Sequence, residues 1–423
     1  MLPEYSFLAD CLGLNNNMQT DFDILIIGGG LVGASLACAL RVVPLRIAVI
    51  EAVPLAASAQ PSYDDRTLAL AYGSKRIFES LLVWDAVAPE ATPINRIHIS
   101  DRGHFGVTRL CAADAGLPAL GYVVANRRLG AALLGGLQQA PQIEWLCPAE
   151  MQDIRLTPDT ATATVRHQDQ IRTLSARLII AADGAQSAVR AALGIEAERT
   201  EYCQSAIVTT VTASEPHRNT AYERFTDTGP LALLPMRTHD VAVVWSARDA
   251  EEKAILDWSD GEFLSRLQDR FGDRLGTFTR IGKRAAYPLA LTRVKEHVRA
   301  RLTLIGNAAH TVHPVAGQGF NLGLRDVAAL AEILADAVRD GEDIGDLRVL
   351  RRYAEWRRGD NRVTAGLTNG LIRIFSNNLF PFTLARNAGL LAVDLLPEIK
   401  RGLIRITSGQ AGRLPRLARG LPL

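Results

Sequence analysis

The sequence predicts an α/β fold: a Rossmann-like domain, an inserted and mainly antiparallel β-sheet domain, and a C-terminal helical segment. Three observations predict it. A glycine-rich loop near residue 28 joins an apolar run of strand length to an apolar helix. A second glycine-containing loop, near residue 317, again leads from a strand into a helix. Between about 198 and 283 the residues alternate as antiparallel strands do.

The first twenty residues, "MLPEYSFLADCLGLNNNMQT", lack the basic and apolar regions of a secretory signal and read as a disordered leader, with Met18 a candidate start. Residues 21–27 and "GGGLVG" follow. "DILII" is a buried-strand run, "ASLACALRVV" has helical spacing, and "RIAVI" is a second strand ending in Glu51. In Gly28-x-Gly30-x-x-Gly33, the first glycine permits a tight turn and the second lets a pyrophosphate reach the backbone. The third lets the helix pack close to the strand. The helix N-terminus offers free N–H groups to phosphate, and Glu51 can accept from a ribose hydroxyl. The acid disfavours a 2′-phosphate, so the loop predicts NAD or FAD rather than NADP.

Further along, "DDRTLAL" places Arg66 before a strand, and "YVVANRRLGAALL" places Asn126 and Arg127 at a helix entrance. "ARLIIAADGAQSAVRAALGI" is a strand, an Asp183-Gly184 turn and a helix. "SAIVTTVTA", "TAYERFTDTGPLALLPMRTHDVAVVWSA" and "RAAYPLAL" read as strands of a sheet that roofs a pocket. "LTLIG" is again a strand, "NAAHTVHPVAGQG" is interrupted by Pro314, Gly317 and Gly319, and "FNLGLRDVAALAEILADAV" is helical. FAD is long enough to need both loops: one for its ADP half, one for its ribityl-isoalloxazine half, with Asn307 placed to bond the sugar-alcohol chain. NAD would not need the second. His310 and His313 invite a metal reading, but no carboxylate or cysteine at ligand spacing completes such a site.

The predicted boundaries are 21–90, 118–197 and 284–345 for the FAD-binding domain, 91–117 and 198–283 for the substrate domain, and 346–423 for the helical region. A formal charge of +2 argues against nucleic acid. Five scattered cysteines, Cys11, Cys38, Cys111, Cys147 and Cys203, read as reduced core thiols of a cytoplasmic protein. No apolar run reaches the roughly 18–20 residues of a spanning helix. The tail carries Lys400, Arg401, Arg405, Arg413, Arg416 and Arg419, a basic amphipathic surface suited to peripheral contact with an inner membrane.

At "GGGLVG", "ADGAQSAVR" and "GNAAHTVHPVAGQGFNLGLRD" the chain resembles the aromatic-ring hydroxylases, single-component FAD monooxygenases with the fold of p-hydroxybenzoate hydroxylase. The resemblance covers residues 21 to 400. "GPLALLP", "YPLAL" and "HPVAGQGFNLGLRD" are most similar to the ubiquinone-biosynthesis hydroxylases, and "NNLFPFTLARNAGLLAVDLLP" looks like the 2-octaprenyl-6-methoxyphenol hydroxylase branch. Most of the wider family has Asp where Asn307 stands.

The resemblance implies that Val32 and Gly33 lie over the pyrophosphate and Glu51 takes the adenosine ribose. Arg66, Asn126 and Arg127 approach the phosphates and ribityl chain, and Asp183 serves both FAD and the passing nicotinamide cofactor. Pro314 sits near the reacting flavin carbon, Gly317, Gln318, Gly319 and Phe320 skirt the ring, and Asn321 faces its pyrimidine edge. Pro314, Gln318 and His313 are the implied residues nearest the chemistry, with Tyr222 and Tyr287 as further neighbours of a phenol. NAD(P)H would reduce FAD, and O₂ would reach the ring of a polyprenyl phenol through a flavin C4a-hydroperoxide, with other quinone-biosynthesis proteins as partners. Alternatives on the same scaffold are a prenyl reductase, a halogenase (disfavoured because no WxWxIP signature occurs) and a non-catalytic FAD-binding subunit.

Overall fold

The computed structural model describes residues 20–54, 66–311, 317–375 and 380–423; the expected leader lies outside these, apart from Thr20. β1 (Phe22–Ile27) runs into α1 (Leu31–Leu40), and the chain returns in parallel as β2 (Ile47–Ile50). β3 (Thr67–Ala71) leads directly into α2 (Tyr72–Ser80), then α3 (Trp84–Val87) and β4 (Thr92–Ile94). β5 (Arg96–Asp101) and β6 (Val107–Cys111) form a hairpin, and β7 (Gly121–Ala125) lies between β3 and β4.

α4 (Asn126–Leu137) leads to β8 (Ile143–Leu146), followed by the meander β9 (Ala149–Leu156), β10 (Ala161–His167) and β11 (Gln170–Ala181). After α5 (Ala188–Ala192) come β12 (Ala197–Ala213), β13 (Thr220–Thr226), β14 (Gly229–Pro235) and β15 (Asp240–Arg248). α6 (Asp249–Asp257), α7 (Asp260–Phe271), β16 (Phe278–Ile281) and β17 (Ala285–Val294) complete this unit. The chain returns through β18 (Val298–Arg299), β19 (Leu302–Leu304) and β20 (His310–Thr311). It ends in α8 (Gln318–Arg339), α9 (Leu347–Phe375), α10 (Phe380–Leu395) and α11 (Pro397–Thr407).

The main sheet has the order β18-β19-β11-β1-β2-β8, with β10 and β9 appended through β11. β19, β11, β1, β2 and β8 are parallel neighbours. Helices α1, α4 and α8 cover one face and the β9–β10–β11 meander with α5 covers the other, which is why β1 and β2 are continuous apolar runs rather than alternating ones. β11 records both environments: its first four residues, in the outer hairpin, are exposed, and its last four, in the parallel core, are buried.

The second sheet runs β20-β17-β12-β15-β14-β13-β5-β6. Its strands alternate as expected, and the odd residues of β12 show why. Ile207 and Val211 pack with Trp245, Phe263, Leu267 and Phe271, so α6 and α7 cover that face. The opposite face carries Val208, Ala232 and Val244, all half-buried. It meets the first domain where Ala221 and Leu234 touch Ile94, Val123 and Ala69.

Two expectations shift. Strand pairing keeps Ala285–Val294 in the second sheet, beyond the expected boundary at 284, and puts Thr92–Ile94 with β7 rather than with β5. Of the cysteines in the described residues only Cys38 is buried, and Cys203 is exposed; sequence context had suggested core positions for all.

Candidate cofactor and substrate site

Three loops leave the carboxyl ends of three adjacent strands at one level. Ile27 pairs with Ala181, and Ala181 with Leu304. The glycine loop, the Asp183 loop and the second loop therefore start side by side. β1 connects toward β2 on one side, and β11 lies on the other, so the crevice sits where strand order reverses. Ligands of open α/β sheets bind at such points.

The first loop is shaped by absent side chains. Gly28 has φ of +102°, and a Cβ there would lie 2.5 Å from the Ala182 carbonyl oxygen. A Cβ on Gly33 would lie 1.9 Å from the Gly28 oxygen. Gly30 caps α1 without any side-chain bond, and the first turn holds no acid, so no negative charge there opposes an anion at the helix N-terminus. Glu51 is buried, and its two oxygens accept from the amides of Gly29 at 2.7 Å and Val53 at 2.8 Å. It pins the loop to the end of β2. Trp145, at the end of β8, was not anticipated. Its ring lies against Gly29, where a Cβ would come within 2.7 Å of it.

Asp183 accepts from the Val189 amide at 3.0 Å through one oxygen; the other is buried with no hydrogen-bond partner among the described residues. Arg190, also unanticipated, donates to the carbonyls of Ala308 at 2.6 Å and Ala185 at 2.5 Å, tying the Asp183 loop to the second loop. Arg66 and Asn126 are brought together: the Asn126 amide donates to the Arg66 carbonyl at 2.8 Å. The Arg66 guanidinium sits 4.7 Å from the Tyr287 ring centroid and so ties the start of β3 to the second sheet. Arg127 is exposed on α4.

The second loop meets the first. A Cβ on Gly306 would lie 3.1 Å from a Val32 methyl, and Gly306 has φ of +57°. Asn307 is exposed at the strand end. Behind it lies a buried ionic group. Asp326 accepts from the Gly306 amide at 3.0 Å, from His310 Nε2 at 2.7 Å and from Arg357 Nε at 2.7 Å. Burial alone would raise the Asp326 carboxyl; His310 and Arg357 outweigh it and hold the carboxyl well below the usual aspartate range. His310 is thus a buttress of the loop. His313 and Pro314 lie outside the described residues.

α8 begins at a left-handed Gly317, beside Ala69, and Gly319 lies in its first turn. The Asn321 amide oxygen accepts from the Ala71 amide at 2.8 Å and the Ser74 hydroxyl at 2.7 Å. Its nitrogen donates to Ala69 at 2.8 Å and Gly317 at 2.6 Å. That side chain is committed to protein partners, so it shapes the helix entrance instead of reaching for a ring. Gln318 is buried and directs its amide to the Thr407 carbonyl at 3.3 Å, toward the C-terminal helices rather than into the crevice. Phe320 stacks on Phe78 with centroids 6.3 Å apart, inside the core. Tyr222 also departs from expectation: it packs edge-on to Phe271 at 5.2 Å, on the face covered by α7. Tyr287 is on the face that meets the first domain.

The geometry fits FAD on three counts: the glycine cradle, the acid-free first turn of α1 and the buried free oxygen of Asp183. The sequence model of the FAD-binding domain family matches residues 21–359. The chain belongs to this family. A ubiquinone hydroxylase of Rhodospirillum rubrum is 40% identical over 95% of this chain and 93% of its own length. The 3-demethoxyubiquinol 3-hydroxylase of Escherichia coli is 33% identical over 92% of this chain and 98% of its own. Among solved structures, p-nitrophenol 4-monooxygenase from Pseudomonas putida aligns with a TM-score of 0.77 at 19% identity. It covers 93% of this chain and 99% of that one, a likeness of fold.

Proposed function

We propose that this chain is an FAD-dependent monooxygenase that hydroxylates the ring of a polyprenylated phenol in ubiquinone synthesis, using NAD(P)H and O₂. One observation carries the reading. The three loops that would hold FAD lie on the side of the first domain that meets the half-buried apolar sheet face carrying Val208, Ala232 and Val244. The names of the relatives above support the substrate class.

Gly28, Gly30, Val32 and Gly33 would hold the pyrophosphate, Glu51 the adenosine ribose, and Arg66, Asn126 and Asn307 the central chain. Asp183 and Gly317 to Gly319 would border the ring. Bound FAD supplies the redox chemistry: it accepts two electrons from NAD(P)H and passes one oxygen atom of O₂ to the substrate. The protein orients the phenol and keeps water out between its two sheets.

The test is FAD-loaded protein with a short-chain prenyl phenol, NAD(P)H and isotopically labelled O₂. The expected result is faster NAD(P)H oxidation and one labelled oxygen in the product. An FAD-replete protein that ignores the phenol would be an accessory subunit, and the reading would be lost.

The polyprenyl chain calls for a lipid surface, and the helical region offers one. No helix among the described residues is long and apolar enough to cross a membrane. Two residues of the expected basic tail are committed elsewhere: Arg416 bonds Asp336 at 2.5 Å, and Arg413 stacks over Trp356. Instead, Leu384, Leu391 and Leu395 are exposed along α10, seven and then four residues apart and hence on one side of the helix. Leu396 and Ile399 continue the patch, with Arg401 and Arg405 exposed beside it on α11. This side is the proposed peripheral contact. Flotation with anionic vesicles should retain the parent and lose a Leu391→Ser/Leu395→Ser variant.

A further inference from the structure

The substrate-facing side of the second sheet carries a carboxylate that the fold leaves without a partner among the described residues. Glu223 lies on β13 between Ala221 and Phe225, in register with Ala232 on β14 and Ile99 on β5. Strand alternation puts it on the side of Ala221, which meets the first domain, and opposite Tyr222, which meets α7. Phe225 closes the outer end by stacking on Phe375 at 3.5 Å. The Glu223 carboxyl therefore opens into the cleft between the sheets rather than to bulk water. It has no hydrogen bond or ion pair among the described residues. The charged groups nearest on that side are Asp101, held by Arg386 at 2.7 Å, and Arg66 over Tyr287.

An unpaired acid in an apolar cleft is costly and has no structural use here. We propose that Glu223 is the catalytic base that takes the phenolic proton of the substrate during ring hydroxylation. This rests on the ring-hydroxylase reading above. As the ring carbon bonds to oxygen, the phenolic O–H breaks toward Glu223 and its electron pair flows into the ring. The hydrogen on that carbon then leaves as a proton, and the carboxyl returns its own to the phenolic oxygen. Overall the ring C–H, O₂, NAD(P)H and one proton give the ring C–OH, NAD(P)⁺ and water. Burial pushes the Glu223 carboxyl up to about 7, where a base works well near neutral pH.

The test uses FAD-loaded parent and Glu223→Gln proteins, with 2-geranylphenol and its methyl ether as probes. A charged carboxylate accepts the phenolic hydrogen bond more strongly than a neutral acid. The parent should thus bind the phenol about tenfold tighter at pH 8 than at pH 6. Glu223→Gln should lose that dependence, and the ether should show none with either protein; its binding also reports that the variant cleft is folded. Ring hydroxylation by Glu223→Gln should fall by about a hundredfold or more, without its acid limb. A parent whose phenol affinity ignores pH, or a Gln variant with the parent's profile and rate, overturns the assignment alone. A parent that retains FAD but binds no phenol overturns the functional reading and the base with it.

Discussion

Gly33→Ala puts the reading of the first loop to a quantitative test. The new Cβ would sit 1.9 Å from the Gly28 carbonyl oxygen and 3.3 Å from an Ile26 methyl. Ordinary carbon-to-oxygen contact begins at about 3.3 Å, so α1 and the loop must part by roughly 1.4 Å. Hydrogen bonds tolerate a spread of only about 0.5 Å. That displacement removes at least one amide contact to the pyrophosphate, and each contact to a charged group contributes about 1.5–3 kcal/mol. FAD should then bind about ten- to hundredfold more weakly. The overpacked loop should also cost the fold about 1–3 kcal/mol. FAD titration of the apoprotein by fluorescence, with thermal unfolding in parallel, measures both. An alanine variant with the parent's affinity and melting temperature would show that α1 does not press on Gly28, and the cradle would be wrong.

Asp326→Asn should destabilise the protein by about 2–3 kcal/mol, because buried Arg357 keeps Asp360 as its only carboxylate partner among the described residues and His310 loses its own. The folded carboxyl is held below its free value of 3.8, so it stabilises above that pH and its contribution fades on acidification. Urea unfolding should accordingly show the gap between parent and variant narrowing below about pH 4. Glu223 has the opposite sign. Its folded carboxyl stands at about 7 against 4.5 when free, so the stability it gives at low pH is lost as pH rises between those values. Glu223→Gln should melt like the parent near pH 4.5 and above it at pH 8, by no more than about 3 kcal/mol; equal melting at both would place the carboxyl in bulk water. Asn321→Ala strips partners from Ala69, Ala71, Ser74 and Gly317 at once. It should cost about 1 kcal/mol per bond by chemical unfolding, a loss that a ring-contacting Asn would not produce in apoprotein.

What the sequence made legible follows from what is local. The glycine motif is legible because Gly33 presses on Gly28 five residues earlier and Gly28 takes a left-handed φ, although the carbonyl that crowds Gly28 comes from Ala182, far along the chain. The second loop reads as a helix entrance for the same reason. Asn321 was less legible because its partners on β3 lie some 250 residues earlier, and a polar residue at a helix start looks alike whether it meets ligand or backbone. Tyr222 and Tyr287 both stand on alternating strands; which parity meets the cofactor layer is decided by α6 and α7 covering one face. Helical spacing around Asp326 does not reveal its burial; packing against α9 makes it a buried counter-ion. Trp145 could have been found: it stands at the end of β8, an outermost one of the five parallel strands, where such folds collect ligand contacts.

The alignment of Ile27, Ala181 and Leu304 has a temporal meaning as well as a spatial one. Between the second and third of these strands the chain detours through β12 to β17 of the second sheet. A growing polypeptide has made its first phosphate cradle within forty residues but lacks the matching wall until β19 and α8 emerge from the ribosome. Flavin capture is thus a late event in biosynthesis, and it locks residues from both halves of the gene product at once. Premature termination before Arg339 should yield colourless protein, however well its first βαβ unit folds.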